Sequence, residues 1–131
     1  MFGAALGDIV GSLYEFDPIK RKDFHFLEDD MSYTDDTIMT AAVLEALMES
    51  DIRDEETTRN NLVRRMKEWG RRYPHPTGAY GSMFSHWLHS PSPEPYGSWG
   101  NGSAMRVSGA GWLYDTIEET RKAARLSAEV T

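Results

Sequence analysis

From Asp36 to about Glu49, Met39, Val43, Ala46 and Leu47 recur at i, i+4, i+7 and i+8, and Leu44 widens the stripe. At 3.6 residues per turn this spacing predicts a helix with little exposed face. A helix that apolar has to be covered by other elements. No stretch of the chain alternates polar and apolar residues as a half-buried strand does, and there is no internal repeat or interdomain linker. The expected class is therefore all-α, one domain over residues 1–131.

Other segments supply candidate partners. The opening run MFGAALGDIVGSLYEF carries Gly3, Gly7 and Gly11 at i, i+4 and i+8. Small residues on one helical face let a second helix approach closely, and each glycine weakens a helix by very roughly 1 kcal/mol. Packing must offset that loss, so this helix is expected in the core. Asp8 and Glu15, seven residues apart, fall on nearly the same stripe. The polar stretch DPIKRKDFHFLEDDMSY reads as a solvated loop. Asp54 can cap a third helix with Leu62, Met66, Trp69 and Tyr73 on one side and Arg64, Arg65, Lys67, Arg71 and Arg72 mainly on the other, ending before Pro74. Residues 74–102 form a long loop interrupted by the short amphipathic SMFSHWLH, and the aromatics Tyr80, Phe84, Trp87, Tyr96 and Trp99 argue against disorder there. SAMRVSGAGWLY reads as one helix, and Thr116 and Glu119 form a capping box for a last one.

The charge balance narrows the function classes. With 14 Lys and Arg against 21 Asp and Glu, the net charge of −7 argues against a nucleic-acid backbone as the main partner. There is no cysteine, which removes thiolate metal sites, cysteine nucleophiles and disulfides, so a metal must be held by oxygen or imidazole. No leader pattern and no run of 18 apolar residues is seen, so a soluble, cytoplasmic protein without a membrane role is expected.

Three constellations carry chemistry. In TDDT, Thr34, Asp35, Asp36 and Thr37 crowd one turn at the head of the apolar helix. Asp and Thr are favoured helix caps, yet consecutive oxygen donors on one turn also suit a hard cation such as Mg²⁺. From the residues alone both readings stay open. Glu15 reads equally as a second carboxylate source for such a site and as an exposed helix end. In GSWGNGSAMR, glycines let backbone approach a ligand and Trp99 can stack on a base, although Gly-Asn-Gly is also ordinary turn chemistry. His86 and His89 read as a helix-surface or core-edge pair rather than a zinc site. No serine-triad, phosphate-loop or dinucleotide motif occurs.

Four stretches taken in order resemble the ADP-ribosylglycohydrolase family: GAALGDIVGSLYEF (residues 3–16), TDDTIMT (34–40), GSWGNGSAMRVS (97–108) and ARLSAEVT (124–131). The resemblance implies a compact helical fold and a hydrolase that removes ADP-ribose from a protein side chain or small acceptor, assisted by two divalent cations, Mg²⁺ or Mn²⁺. By similarity Thr34, Asp35 and Asp36 would be metal ligands, with Asp35 or Asp36 also orienting the attacking water. Glu15 would stand beside the metals or orient substrate, and Ser98, Trp99, Gly100, Asn101, Gly102 and Ser103 would hold the diphosphate and distal ribose. Family members carry a second acidic metal motif near their C-terminal end, and nothing like it occurs here, so the chain is similar to about the first half of the fold. Two classes of function follow: the first half of an ADP-ribosyl hydrolase, whose partners are ADP-ribose or an ADP-ribosylated protein, or a non-catalytic, crystallin-like binding or structural module. Half a helical domain also implies bare apolar surface, hence self-association or capture of a complementary C-terminal half.

Overall fold

A computed structural model describes residues 2–131; Met1, at the start of the expected first helix, lies outside the described residues. The helices are α1 (Phe2–Gly11), α2 (Asp35–Met48), α3 (Glu55–Arg72), α4 (Ser82–His89), α5 (Gly102–Met105), α6 (Ala110–Leu113) and α7 (Ile117–Glu129), with 3₁₀ turns at Ser12–Tyr14 and Val107–Gly109. Among the described residues the only β-type pairing is an isolated parallel bridge between Thr34 and Thr77, so the all-α expectation holds.

The apolar helix α2 is the hub. Met39, Ala42, Val43 and Ala46 are wholly buried, against Leu62 and Met66 of α3, Ala110 of α6 and Leu126 of α7. Phe84, Trp87 and Leu88 of α4 extend the same core. Gly70 lets α3 and α4 close up, since a Cβ there would stand 2.9 Å from Leu88 Cδ2. Each large side chain so buried contributes about 1.5–3 kcal/mol, which is why this layer holds the rest in place.

Local signals at helix ends act as expected. Asp54 accepts from Thr57 N–H at 3.1 Å, and Thr116 Oγ1 accepts from Glu119 N–H at 3.2 Å while donating to Glu119 Oε2 at 2.8 Å. On the outer side of α3, Arg64 pairs with Glu49 and Glu68, and Arg65 with Glu45, Glu49 and Glu68.

Two expectations need correction. The first helix is not in the core: only Val10 is buried, Phe2 is 93% exposed, and no atom lies within 4 Å of where a Cβ would stand on Gly3, Gly7 or Gly11. A small-residue face permits close approach but does not supply the partner, and within these residues none reaches it. Nor do residues 103–114 form one helix. The chain turns at Arg106, and Gly109 packs so closely on α2 that a Cβ would meet Leu44 Cδ1 at 3.0 Å. Docking that backbone against α2 breaks the segment into α5, a 3₁₀ turn and α6.

Candidate functional site

Side chains at the head of α2 settle the cap before any ligand is considered. Thr34 is the N-cap, extended in backbone and 3% exposed, and its Oγ1 accepts from Asp36 N–H at 3.2 Å. Asp8 reaches across from α1: Oδ1 accepts from Thr34 Oγ1 at 2.6 Å, and Oδ2 accepts from Thr34 N–H at 2.9 Å, Thr37 N–H at 3.2 Å and Thr37 Oγ1 at 2.6 Å. One carboxylate on a neighbouring helix thus takes donors that a helix start leaves open.

Asp35 and Asp36 are left over. Both are half-buried in the first turn of α2, and among the described residues no cation pairs with either of them, or with Asp8 or Glu15. Burial, followed by the charges of Asp36, Glu15 and Asp8, pushes the Asp35 carboxyl up to about 6 against a backbone hydrogen bond that lowers it. Burial, then Asp8 and Glu15, raises Asp36 in the same direction. These are like charges gathered without a counter-charge.

They border a cavity of about 760 Å³, the size of a small-molecule site. Glu15, Asp35, Asp36 and Gly78 line it, and so do Ser98, Trp99, Gly100, Asn101, Gly102 and Ser103. Trp99 is fully exposed on that loop. Gly100 N–H donates to Ser98 Oγ at 3.2 Å, and the four-residue α5 begins with Ala104 and Met105 N–H donating to Asn101 O. Every candidate site residue from the sequence therefore borders one cavity. Among the described residues, however, no three Asp, Glu or His side chains converge closely enough to hold a metal ion. His86 and His89 are exposed on α4, with His89 Nδ1 against Ser85 O.

Two contributors were not picked out from the sequence. Arg106, 2% exposed, borders the cavity, and its Nη2 donates to Ser127 O at 2.8 Å and Thr131 Oγ1 at 2.9 Å, capping the end of α7. Burial lowers its guanidinium to about 10, and its Nε has no partner. Tyr96 N–H donates to Thr131 O at 2.8 Å, so the end of α7 is fixed to the segment entering the glycine-rich loop. The other contributor is the turn at residues 77–80, where Gly78 and Ala79 both have left-handed φ, +80° and +63°. Tyr80 donates to Tyr73 O at 2.8 Å, and burial followed by the Asp35 charge pushes its hydroxyl up to about 12. The available signal was Gly78 itself, in a segment rich in proline and aromatic residues.

The chain is similar to ADP-ribosylhydrolase ARH3 of Mus musculus, 31% identical over 159 aligned positions that include 98% of this chain and 41% of that protein. Its likeness to ADP-ribosylhydrolase ARH3 of Homo sapiens is 30% over 98% of this chain and 42% of that protein. For the Xenopus tropicalis ADP-ribosylhydrolase ARH3 it is 30% over 100% and 43%. The chain thus spans about two-fifths of the length of these curated relatives. No solved structure matches it significantly. The family model for ADP-ribosylglycohydrolase matches residues 1–131 from end to end, and the chain belongs to the ADP-ribosylglycohydrolase family.

Proposed function

We propose that this chain forms the ADP-ribose-binding, cation-holding part of an ADP-ribosyl hydrolase. The observation that carries the reading is one cavity lined both by unpaired carboxylates and by a glycine-rich loop with an exposed tryptophan. The loop of residues 98–103 would take the diphosphate and distal ribose, with Trp99 offering a stacking face. Glu15, Asp35 and Asp36 would face the ribose carbon where the bond breaks.

The donor chemistry fits a hard divalent cation, because every available group is an oxygen and the carboxylates lack a counter-charge. Asp35 and Asp36 would hold it, with the remaining lone pair of Thr34 Oγ1; waters would complete the shell, as Mg²⁺ tolerates. When bound, a cation would neutralise these carboxylates and polarise water and ribose hydroxyls. Asp35 or Asp36 would then orient a water toward the anomeric carbon and accept its proton, while the water oxygen bonds to that carbon and the acceptor leaves with the bonding pair. Glu15 would stand beside the cation, adding its charge to that site, and orient the ribose or the departing group.

A thermal melt with and without Mg²⁺ and ADP-ribose tests this. A ligand at about 100 times its dissociation constant adds roughly 2.7 kcal/mol, a shift on the order of 10 °C for this size. A shift requiring both ligands supports the reading. No shift in a cooperatively folding sample defeats it for this chain and leaves the non-catalytic module.

A further inference from the structure

We propose that Gly78 is the positioning residue for Glu15: the absence of a side chain at this one position of the turn at residues 77–80 sets how far the Glu15 carboxylate reaches toward Asp35 and Asp36. The inference deepens the hydrolase reading and rests on it for its functional meaning.

Nothing on its own element fixes Glu15. It follows the 3₁₀ turn after α1, a helix whose sole buried residue is Val10, and its side chain is exposed. Among the described residues it makes no side-chain hydrogen bond and no ion pair. What it rests against is Gly78. A Cβ there would stand 2.9 Å from Glu15 Oε2 and 3.6 Å from both Cδ and Oε1.

The turn, by contrast, is held from several sides. Thr77 bridges Thr34, next to Asp35; Ala79 N–H donates to Pro76 O at 3.0 Å; and Tyr80 donates to Tyr73 O and packs edge-on against buried Phe84. Ala79, a residue with a Cβ, is kept at φ +63°, a conformation that persists where surroundings over-determine it. A fixed turn therefore faces a free carboxylate. When a methyl group is added at position 78, the far end of the glutamate is what gives way, and the carboxylate cluster loses its shape while the core is untouched.

Gly81 is the internal control, since it has φ −54° and nothing within 4 Å of where an added methyl group would stand. Gly78→Ala, Gly81→Ala, Glu15→Ala and the Gly78→Ala/Glu15→Ala pair are melted in EDTA. The left-handed φ penalises alanine in both backgrounds, and a carboxylate free to swing aside adds little to that cost. The expected result is therefore a melting-temperature loss from Gly78→Ala that is nearly the same whether or not Glu15 is alanine. A loss much larger in the parent background overturns the proposal, because the glutamate would then be held in place rather than set by the turn. In a second readout Mg²⁺ alone is titrated: Gly78→Ala should raise the concentration for half-maximal stabilisation about tenfold, Gly81→Ala should leave it unmoved, and the shorter Glu15→Asp should restore part of it in the Gly78→Ala chain. An unmoved midpoint in Gly78→Ala overturns the positioning role. A parent chain with no Mg²⁺ response defeats the hydrolase reading instead, and the EDTA cycle still decides whether the Glu15 carboxylate is free to give way to position 78.

Discussion

Replacing Asp8 by alanine should loosen α1 and weaken the start of α2 together, because one carboxylate joins them. Four donors end on it, two of them hydroxyls at 2.6 Å. Thr34 is 3% exposed, so its N–H and hydroxyl cannot rehydrate fully, and a polar group stranded in this way costs about 1–3 kcal/mol. Loss of the cap at Thr37 N–H adds about 1 kcal/mol. Relief of repulsion on Asp35 and Asp36 returns a fraction of that, small at half-exposed sites. The net is about 2–3 kcal/mol, or a melting temperature lower by about 8–12 °C.

The loss should also be local. Apart from Asp8, α1 is anchored by Val10, whose burial contributes about 1.5–3 kcal/mol. Hydrogen exchange in EDTA should therefore show amides of residues 3–14 deprotected in Asp8→Ala while those in the middle of α2 remain slow. Asp8→Asn should fall between parent and alanine, since its amide nitrogen offers a donor where donors already point. Combining Asp8→Ala with Thr37→Val should cost less than the sum of the single changes, by about 1 kcal/mol. An Asp8→Ala chain that melts within about 2 °C of the parent, with α1 still protected, would refute this account of the junction.

Asp35→Asn should stabilise the cation-free chain at neutral pH. A carboxyl raised to about 6 in the fold favours the folded state below its ordinary pKa of 3.8, and that contribution is lost as pH rises through about 6. After discounting for its half-exposed position the gain at pH 7.5 is about 1 kcal/mol, and the difference from parent should vanish near pH 4 in EDTA melts. Asp35→Asn with Asp36→Asn should also abolish any Mg²⁺-dependent rise; a double variant still stabilised by Mg²⁺ would move the cation elsewhere. Arg106→Met should lower stability by about 2–4 kcal/mol through the carbonyl of Ser127 and the hydroxyl of Thr131 left without a donor, with Arg106→Lys recovering part, read by denaturant melts. Phe2 and Phe16, 93% and 76% exposed, should drive concentration-dependent association in light scattering, which Phe2→Ser with Phe16→Ser should reduce; a monodisperse monomer at high concentration would count against it.

The elements legible in the sequence are those whose causes are local. The stripe of α2, the Asp54 cap and the Thr116–Glu119 box each lie within one or two turns. What escaped depends on groups far apart in the chain. The glycines of α1 advertise a close approach but carry no information on who approaches. The break at residues 106–109 follows from Gly109 meeting Leu44 of α2, and an arginine inside an apolar stretch reads as surface until its acceptors 21 and 25 residues later are known. Gly78 acquires meaning from Glu15, which precedes it by nearly half the chain.

The crowded turn at residues 34–37 shows why local signals can be read correctly and still mislead. Capping and ligand binding compete as explanations because both ask for oxygen atoms at a helix start. In the fold the capping falls to Thr34 and Asp8, which take the N–H groups of residues 34, 36 and 37. That leaves Asp35 and Asp36 favoured by the helix dipole, about 0.3–1 kcal/mol each, and Asp35 by one backbone hydrogen bond, against burial and neighbouring carboxylates that raise both carboxyls. A purely structural turn gains nothing from that second pair of charges. Local cost without a structural return is what a binding site leaves in a fold, and the stabilising direction of Asp35→Asn in EDTA is the sign by which that cost can be read.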